Sequence, residues 1–187
     1  MRRKSLLFVD MEKKECYYMN VTFYKYFWGD TMAKALDVAR YIIQYSNEKN
    51  YGVSNLRLQK LLYFVQAVSL AYSDDGCFED EIEAWELGPV VPAVYREYKC
   101  YGNGSIPTSD MLVADGGNIW EVRREKFDKD VLPKKTQEVV RQIVERFSQR
   151  STTGLVDLTH NQRPWMDAYS RGEKVITKES IKEYFWS

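Results

Sequence analysis

"LRLQKLLYFVQAVSLAYSD", residues Leu56 to Asp74, decides the fold class. Leu58, Leu61, Leu62, Val65 and Val68 recur at helical spacing and make one broad apolar face, which Phe64 and Tyr72 widen. A face this wide belongs to the central helix of a core, and Asn55 stands where a capping residue is expected.

The flanks read the same way. Before it, "MAKALDVARYIIQYSNEKN" sets Ala35, Leu36, Ala39, Ile42 and Ile43 at helical spacing, with Gly52 beyond its end. After it, "PKKTQEVVRQIVERFSQR" opens on Pro133 and gathers Val139, Val140, Ile143, Val144 and Phe147 on one side. The last third holds short helices: "TGLVDLTH", "PWMDAYSRG" after Pro164, and "TKESIKEYFWS", which Thr177 can cap.

Strand signals are fewer. "EDEIEAWELGP" reads as a short strand feeding a turn, with Pro89 and Pro92 pushing Gly88 and Val91 towards extended backbone. Pro92 also fits the first turn of a helix, "PAVYREYKCYG", carrying Val94, Tyr95, Tyr98 and Tyr101. A loop, "YGNGSIP", follows, and "MLVADGGNIWEV" has apolar arms around Asp-Gly-Gly-Asn, the pattern of a hairpin. The expected fold is therefore mainly α with a small β component, an α+β chain.

Residues 1–31 stand apart. "CYYMNVTFYKYFWGD" is dense in aromatic and β-branched residues and ends on a Gly-Asp turn signal, which predicts one or two extra strands. Aromatic strands of this kind must be covered, either by the body of the fold or by a partner. The division expected is an N-terminal extension, 1–31, followed by a domain over 32–187.

Composition narrows the function. The chain has 187 residues, 27 basic against 27 acidic side chains, and 14% aromatic content. Zero net charge weighs against nucleic acid as the main partner, since phosphate neutralisation supplies much of that affinity. Cys16, Cys77 and Cys100 are odd in number and form no C-x-x-C pair, which suits a reducing, cytoplasmic setting. The apolar run Leu6 to Val9 is shorter than a signal-peptide core of about 7–15 residues. No stretch reaches the roughly 18 apolar residues of a membrane helix.

No catalytic constellation emerges. His160 is the single histidine, so two-histidine metal motifs do not arise, and it reads as a helix-end residue packed near Trp165. "GNGS" and "DGGN" lack the strand–loop–helix setting of a phosphate cradle. The acidic run "SDDGCFEDEIE" does not follow the calcium-loop pattern and reads as a solvated loop. The mixed-charge run "EVRREKFDKDVLPKK" reads as solvated surface. No cofactor is implied.

The order of four segments carries a resemblance. "KALDVARYII", "SNLRLQKLLYFVQAVSLA", "IEAWELGPVVPAVYREYKCYG" and "LVDLTHNQRPWMDAY" together resemble the Panacea domain, the family of SocA-like antitoxins and phage-associated GepA-like proteins. The residues matching its motifs are Leu58, Gln59, Lys60, Leu61, Tyr63, Trp85, Gly88, Pro89, Val90, Pro92, Tyr95, His160, Pro164 and Trp165. The resemblance implies a mainly helical antitoxin that binds a cognate protein toxin from an adjacent gene and performs no catalysis. It also implies one alternative, a proteolytic adaptor or phage/host interaction protein that delivers a partner to a cellular protease; a DNA-binding autoregulator stands as a separate alternative, which zero net charge disfavours. Met32 looks like the family's usual start, so residues 1–31 fall outside it.

"WELGPVVPAVYREY" is the motif with the most backbone punctuation. It reads first as a rigid corner of the fold; such an aromatic corner can also serve as an interface anchor, because Trp, Tyr and Arg are enriched in hot spots. Candidate partner contacts are thus Trp85 and Tyr95 in the corner, with Tyr17, Tyr18, Phe23, Tyr24, Tyr26, Phe27 and Trp28 in the extension.

Overall fold

The computed structural model describes residues 5–10, 15–20, 32–70, 75–108, 111–114, 122–125 and 127–186. Strands β1 (Ser5–Asp10) and β2 (Glu15–Asn20) pair antiparallel. Helix α1 (Ala35–Glu48) precedes α2 (Asn55–Ser69), the helix on which the fold is organised. Strands β3 (Ile82–Trp85) and β4 (Gly88–Val90) form a hairpin leading into α3 (Pro92–Tyr98). A second hairpin pairs β5 (Met111–Ala114) with β6 (Val122–Glu125). Helices α4 (Lys134–Arg146), α5 (Thr152–His160) and α6 (Arg163–Ser170) follow, then β7 (Val175–Ile176) and α7 (Lys178–Trp186). The chain is mainly α with a small antiparallel sheet, order β4-β3-β7.

Helix α2 packs against α1, α3, α4, α5, α7 and β4. It is buried around its whole circumference: every residue from Leu58 to Ala67 is buried. Apolar spacing predicts one buried face, and the burial extends beyond it to Gln59, Lys60 and Gln66. Its polar side chains therefore lie inside, where each needs a partner. They find backbone groups of distant loops. Asn55 Nδ2 donates to Tyr95 O at 3.1 Å, and Gln59 Oε1 accepts from Val91 N at 2.9 Å. Gln66 donates to Phe78 O and accepts from Cys77 N. Arg57 donates to Phe147 O and to Arg150 O just past the end of α4. In a fold with little sheet, this helix performs the cross-linking that strand ladders would.

Several expectations change in detail. Ser54, not Asn55, caps α2, its hydroxyl accepting from Arg57 N; Asn55 is the first helical residue. The acidic run is only partly solvated. Asp80 accepts from Ala35 N at the start of α1, where a carboxylate is favoured, and Glu83 is buried on β3. The mixed-charge run supplies β6. Thr177 caps α7 as expected, through Ser180 N. Tyr72 lies outside the described residues.

Tyr63 is 0% exposed, and its hydroxyl has no hydrogen-bond partner among the described residues. Its ring packs edge-on against Phe64 and near Phe185. Tyr63→Phe keeps that packing and removes an unsatisfied polar group, so it should raise unfolding stability by about 1 kcal/mol. An unchanged or lower urea midpoint would contradict this.

Candidate functional site

The motif residues converge on the β3–β4 turn. Trp85 pairs with Gly88, which leaves Glu86 and Leu87 as a two-residue loop. Among the described non-glycine residues only Asn50 has positive φ, so the left-handed step falls on Gly88, at φ +100°. A Cβ there would stand 2.8 Å from both Lys60 Nζ and Thr159 Oγ1. Only glycine admits this approach.

Four side chains hold the backbone of the turn. Trp165 Nε1 donates to Trp85 O at 2.9 Å, and His160 shares a backbone hydrogen bond with Glu86. Lys60 Nζ donates to Pro89 O at 3.0 Å. Gln59, itself oriented by a hydrogen bond to Asn55 Oδ1, receives Val91 N. Each of these residues stands at a motif position, on α2, at the end of α5 or at the start of α6.

Aromatic rings complete the support. His160 stacks on Trp165 at 4.0 Å and 9°, and Trp165 stacks on Tyr169 at 4.8 Å and 16°. Trp85 meets Tyr95 edge-on at 4.9 Å, while its indole N–H donates to Glu83 at 2.7 Å. Burial raises the Glu83 carboxyl, but the Trp85 indole and Lys174, 3.1 Å away, outweigh it and hold the group below its usual range. Trp165→Phe keeps the stack and deletes the bond to Trp85 O. A stability loss of about 1–2 kcal/mol is expected, and a smaller loss in a thermal melt would mean that the bond contributes little.

On its outer side the turn presents chemistry of a different kind. Leu87 is 53% exposed at the tip. Beside it lies a cavity of about 330 Å³, lined by Leu56, Trp85, Leu87, Val90, Tyr95 and Lys99. The polar floor, Asn55 and Gln59, is already engaged. Such a socket accepts an apolar group by shape rather than by hydrogen bonds.

The sequence candidates distribute as follows. Trp85 and Tyr95 come together as socket walls. Val90 joins them, and Pro92 opens α3 at its first turn. Leu58, Leu61 and Tyr63 belong to the core, and Pro164 is buried at the start of α6. Tyr17 and Tyr18 stand on β2 opposite Phe8 and Leu6. Phe23, Tyr24, Tyr26, Phe27 and Trp28 lie outside the described residues. Leu87 was missed by sequence reasoning, although an apolar residue inside a turn, where polar residues and glycine dominate, is itself a signal.

Among the described residues no group of three or more His, Cys, Asp or Glu side chains is placed to hold a metal ion, and no helix is long and apolar enough to cross a membrane. Cys77 is buried and Cys100 exposed, neither in a disulfide.

The motif residues thus meet on one preorganised turn, with an apolar tip and an adjoining socket. The family model for SocA-like antitoxins, the Panacea domain, matches residues 58–166, which include the clamp and the turn; the chain belongs to this family. It is also 37% identical over 65 residues to antitoxin SocA of Caulobacter vibrioides (strain NA1000 / CB15N). That match covers 35% of this chain and 35% of the relative, so the chain spans about a third of the curated protein it matches. No solved structure matches.

Proposed function

We propose that this protein is an antitoxin that neutralises a cognate protein toxin, encoded beside it, by direct binding and without chemistry of its own. The β3–β4 turn and its socket form the common contact surface. Residues 1–31 form a separate, partner-specific arm ahead of the domain at 32–187. Family membership supports the antitoxin role. The observation that carries the site is Leu87, an apolar side chain held out in water by a turn whose backbone is fixed from within. A rigid apolar tip loses little conformational entropy on binding, which is the property of an interface anchor.

The test is co-expression with the product of the adjacent reading frame, scoring growth rescue and co-elution on size exclusion. Leu87→Asp should weaken complex formation by about tenfold or more and abolish rescue, with a thermal midpoint unchanged because the residue is exposed. Full rescue by this variant would remove the turn from the contact surface. Deleting residues 1–31 should leave a folded domain that no longer neutralises; a soluble truncation that still rescues would refute the arm. Rescue without a complex, with protease-dependent loss of the neighbour, would replace direct binding by proteolytic delivery.

A further inference from the structure

Lys60 is a stranger choice for a clamp than its position requires. A carbonyl can be held by a hydroxyl or an amide, whereas an amine buried here must give up its proton or its water. The residue is 0% exposed, and Pro89 O is its sole hydrogen-bond partner among the described residues. An ammonium carries three donors, so two would be left without an acceptor.

The charged groups around it offer no relief. On its own helix Arg57 turns away to the Phe147 and Arg150 carbonyls. On β3 Glu83 is engaged by Trp85 and Lys174, and the Glu86 side chain is exposed. On α5 Asp157 is exposed, while His160 brings an imidazole whose Nε2 is buried and has no hydrogen-bond partner among the described residues. On α6 Arg163 pairs with Asp167. Among the described residues Lys60 has no ion pair, and His160, with which it interacts electrostatically, adds positive charge when protonated.

We propose that Lys60 is a proton-controlled latch on the β3–β4 turn: as a neutral amine it holds Pro89 and the turn presents Leu87, and on taking up a proton it draws in water and the turn loosens. The latch rests on the reading of this turn as the contact surface. Burial lowers the amine to about 7, which places the transition in the neutral range. Burial, and then Lys60 itself, lower His160 as well, so the imidazole titrates below its ordinary value.

The experiment is an NMR titration of the full-length chain carrying ¹³C-labelled lysine, from about pH 5.5 to 10.5, a span that brackets ordinary histidine and lysine values. The Lys60 Cε signal should titrate near neutrality, apart from the other lysines, and the Leu87 and Gly88 amides should shift with the same midpoint. Lys60→Met should abolish the amide transition and His160→Gln should preserve it. A Lys60 carbon that titrates with the other lysines overturns the latch even if Lys60→Met fails to fold. An amide transition that survives Lys60→Met, or vanishes in His160→Gln, overturns it too. The co-expression assay separates the two readings. Rescue lost in Leu87→Asp with Lys60 titrating as an ordinary lysine keeps the surface and discards the latch. A neutral midpoint with full rescue by Leu87→Asp keeps the proton response of the turn and discards its role in binding.

Discussion

Lys60→Met is expected to reverse its effect on stability between neutral and alkaline pH. The folded chain holds the amine at about 7 through burial, against an ordinary 10.5. Between those values the unfolded chain binds a proton that the folded chain does not, so wild-type stability rises with pH across the window and is lost as pH falls towards 7. At about 1.36 kcal/mol per unit, the full swing is on the order of 5 kcal/mol. Methionine has no proton to exchange and lacks this slope. It also leaves Pro89 O without its donor, a cost of about 1–3 kcal/mol at any pH. The variant should therefore be more stable than wild type at pH 7 by a few kcal/mol and less stable well above pH 10. Urea midpoints at the two ends decide it. A difference between the proteins that stays constant with pH would mean that Lys60 keeps an ordinary affinity for its proton.

The second large effect is Gly88→Ala. Alanine at φ +100° is strained on its own account, and its Cβ would press on Lys60 Nζ and Thr159 Oγ1 at 2.8 Å each. The lysine end could shift only by leaving Pro89, so the strain spreads into the clamp. A loss of about 2–4 kcal/mol is expected. Gly172→Ala serves as the reference: φ is +68° there, but nothing lies within 4 Å of the added carbon, and about 1 kcal/mol should be lost. Equal losses in chemical denaturation would show that backbone strain accounts for both and that the contact with Lys60 and Thr159 adds nothing.

The helices were legible because apolar spacing is a local property. Leu58, Leu61, Leu62 and Val65 announce α2 from within α2. The clamp was legible only as a set of motifs whose members gave no sign of meeting. Lys60 interrupts an apolar run as a surface lysine would, and the carbonyl it holds, Pro89 O, lies 29 residues away. Trp165 reaches across 80 residues to Trp85 O. Backbone acceptors leave no residue-type signal, so such pairings cannot be read from composition or spacing. The small sheet was obscured for other reasons. Proline and glycine made β4 read as turn alone, although Pro89 is tolerated at the edge of the sheet. β7 has two residues, too few to show alternation.

Every clamp on the turn grips main chain: the Trp85 and Pro89 carbonyls, the Val91 amide, and the backbone at Glu86. Peptide groups are alike whatever side chains they carry. Glu86 and Leu87 can thus be exchanged for other residues without loosening what holds them, as a cutter is changed in a fixed chuck. A domain built this way separates the part that must fold from the part that is free to vary, so mutation can alter the tip while the scaffold beneath keeps its stability.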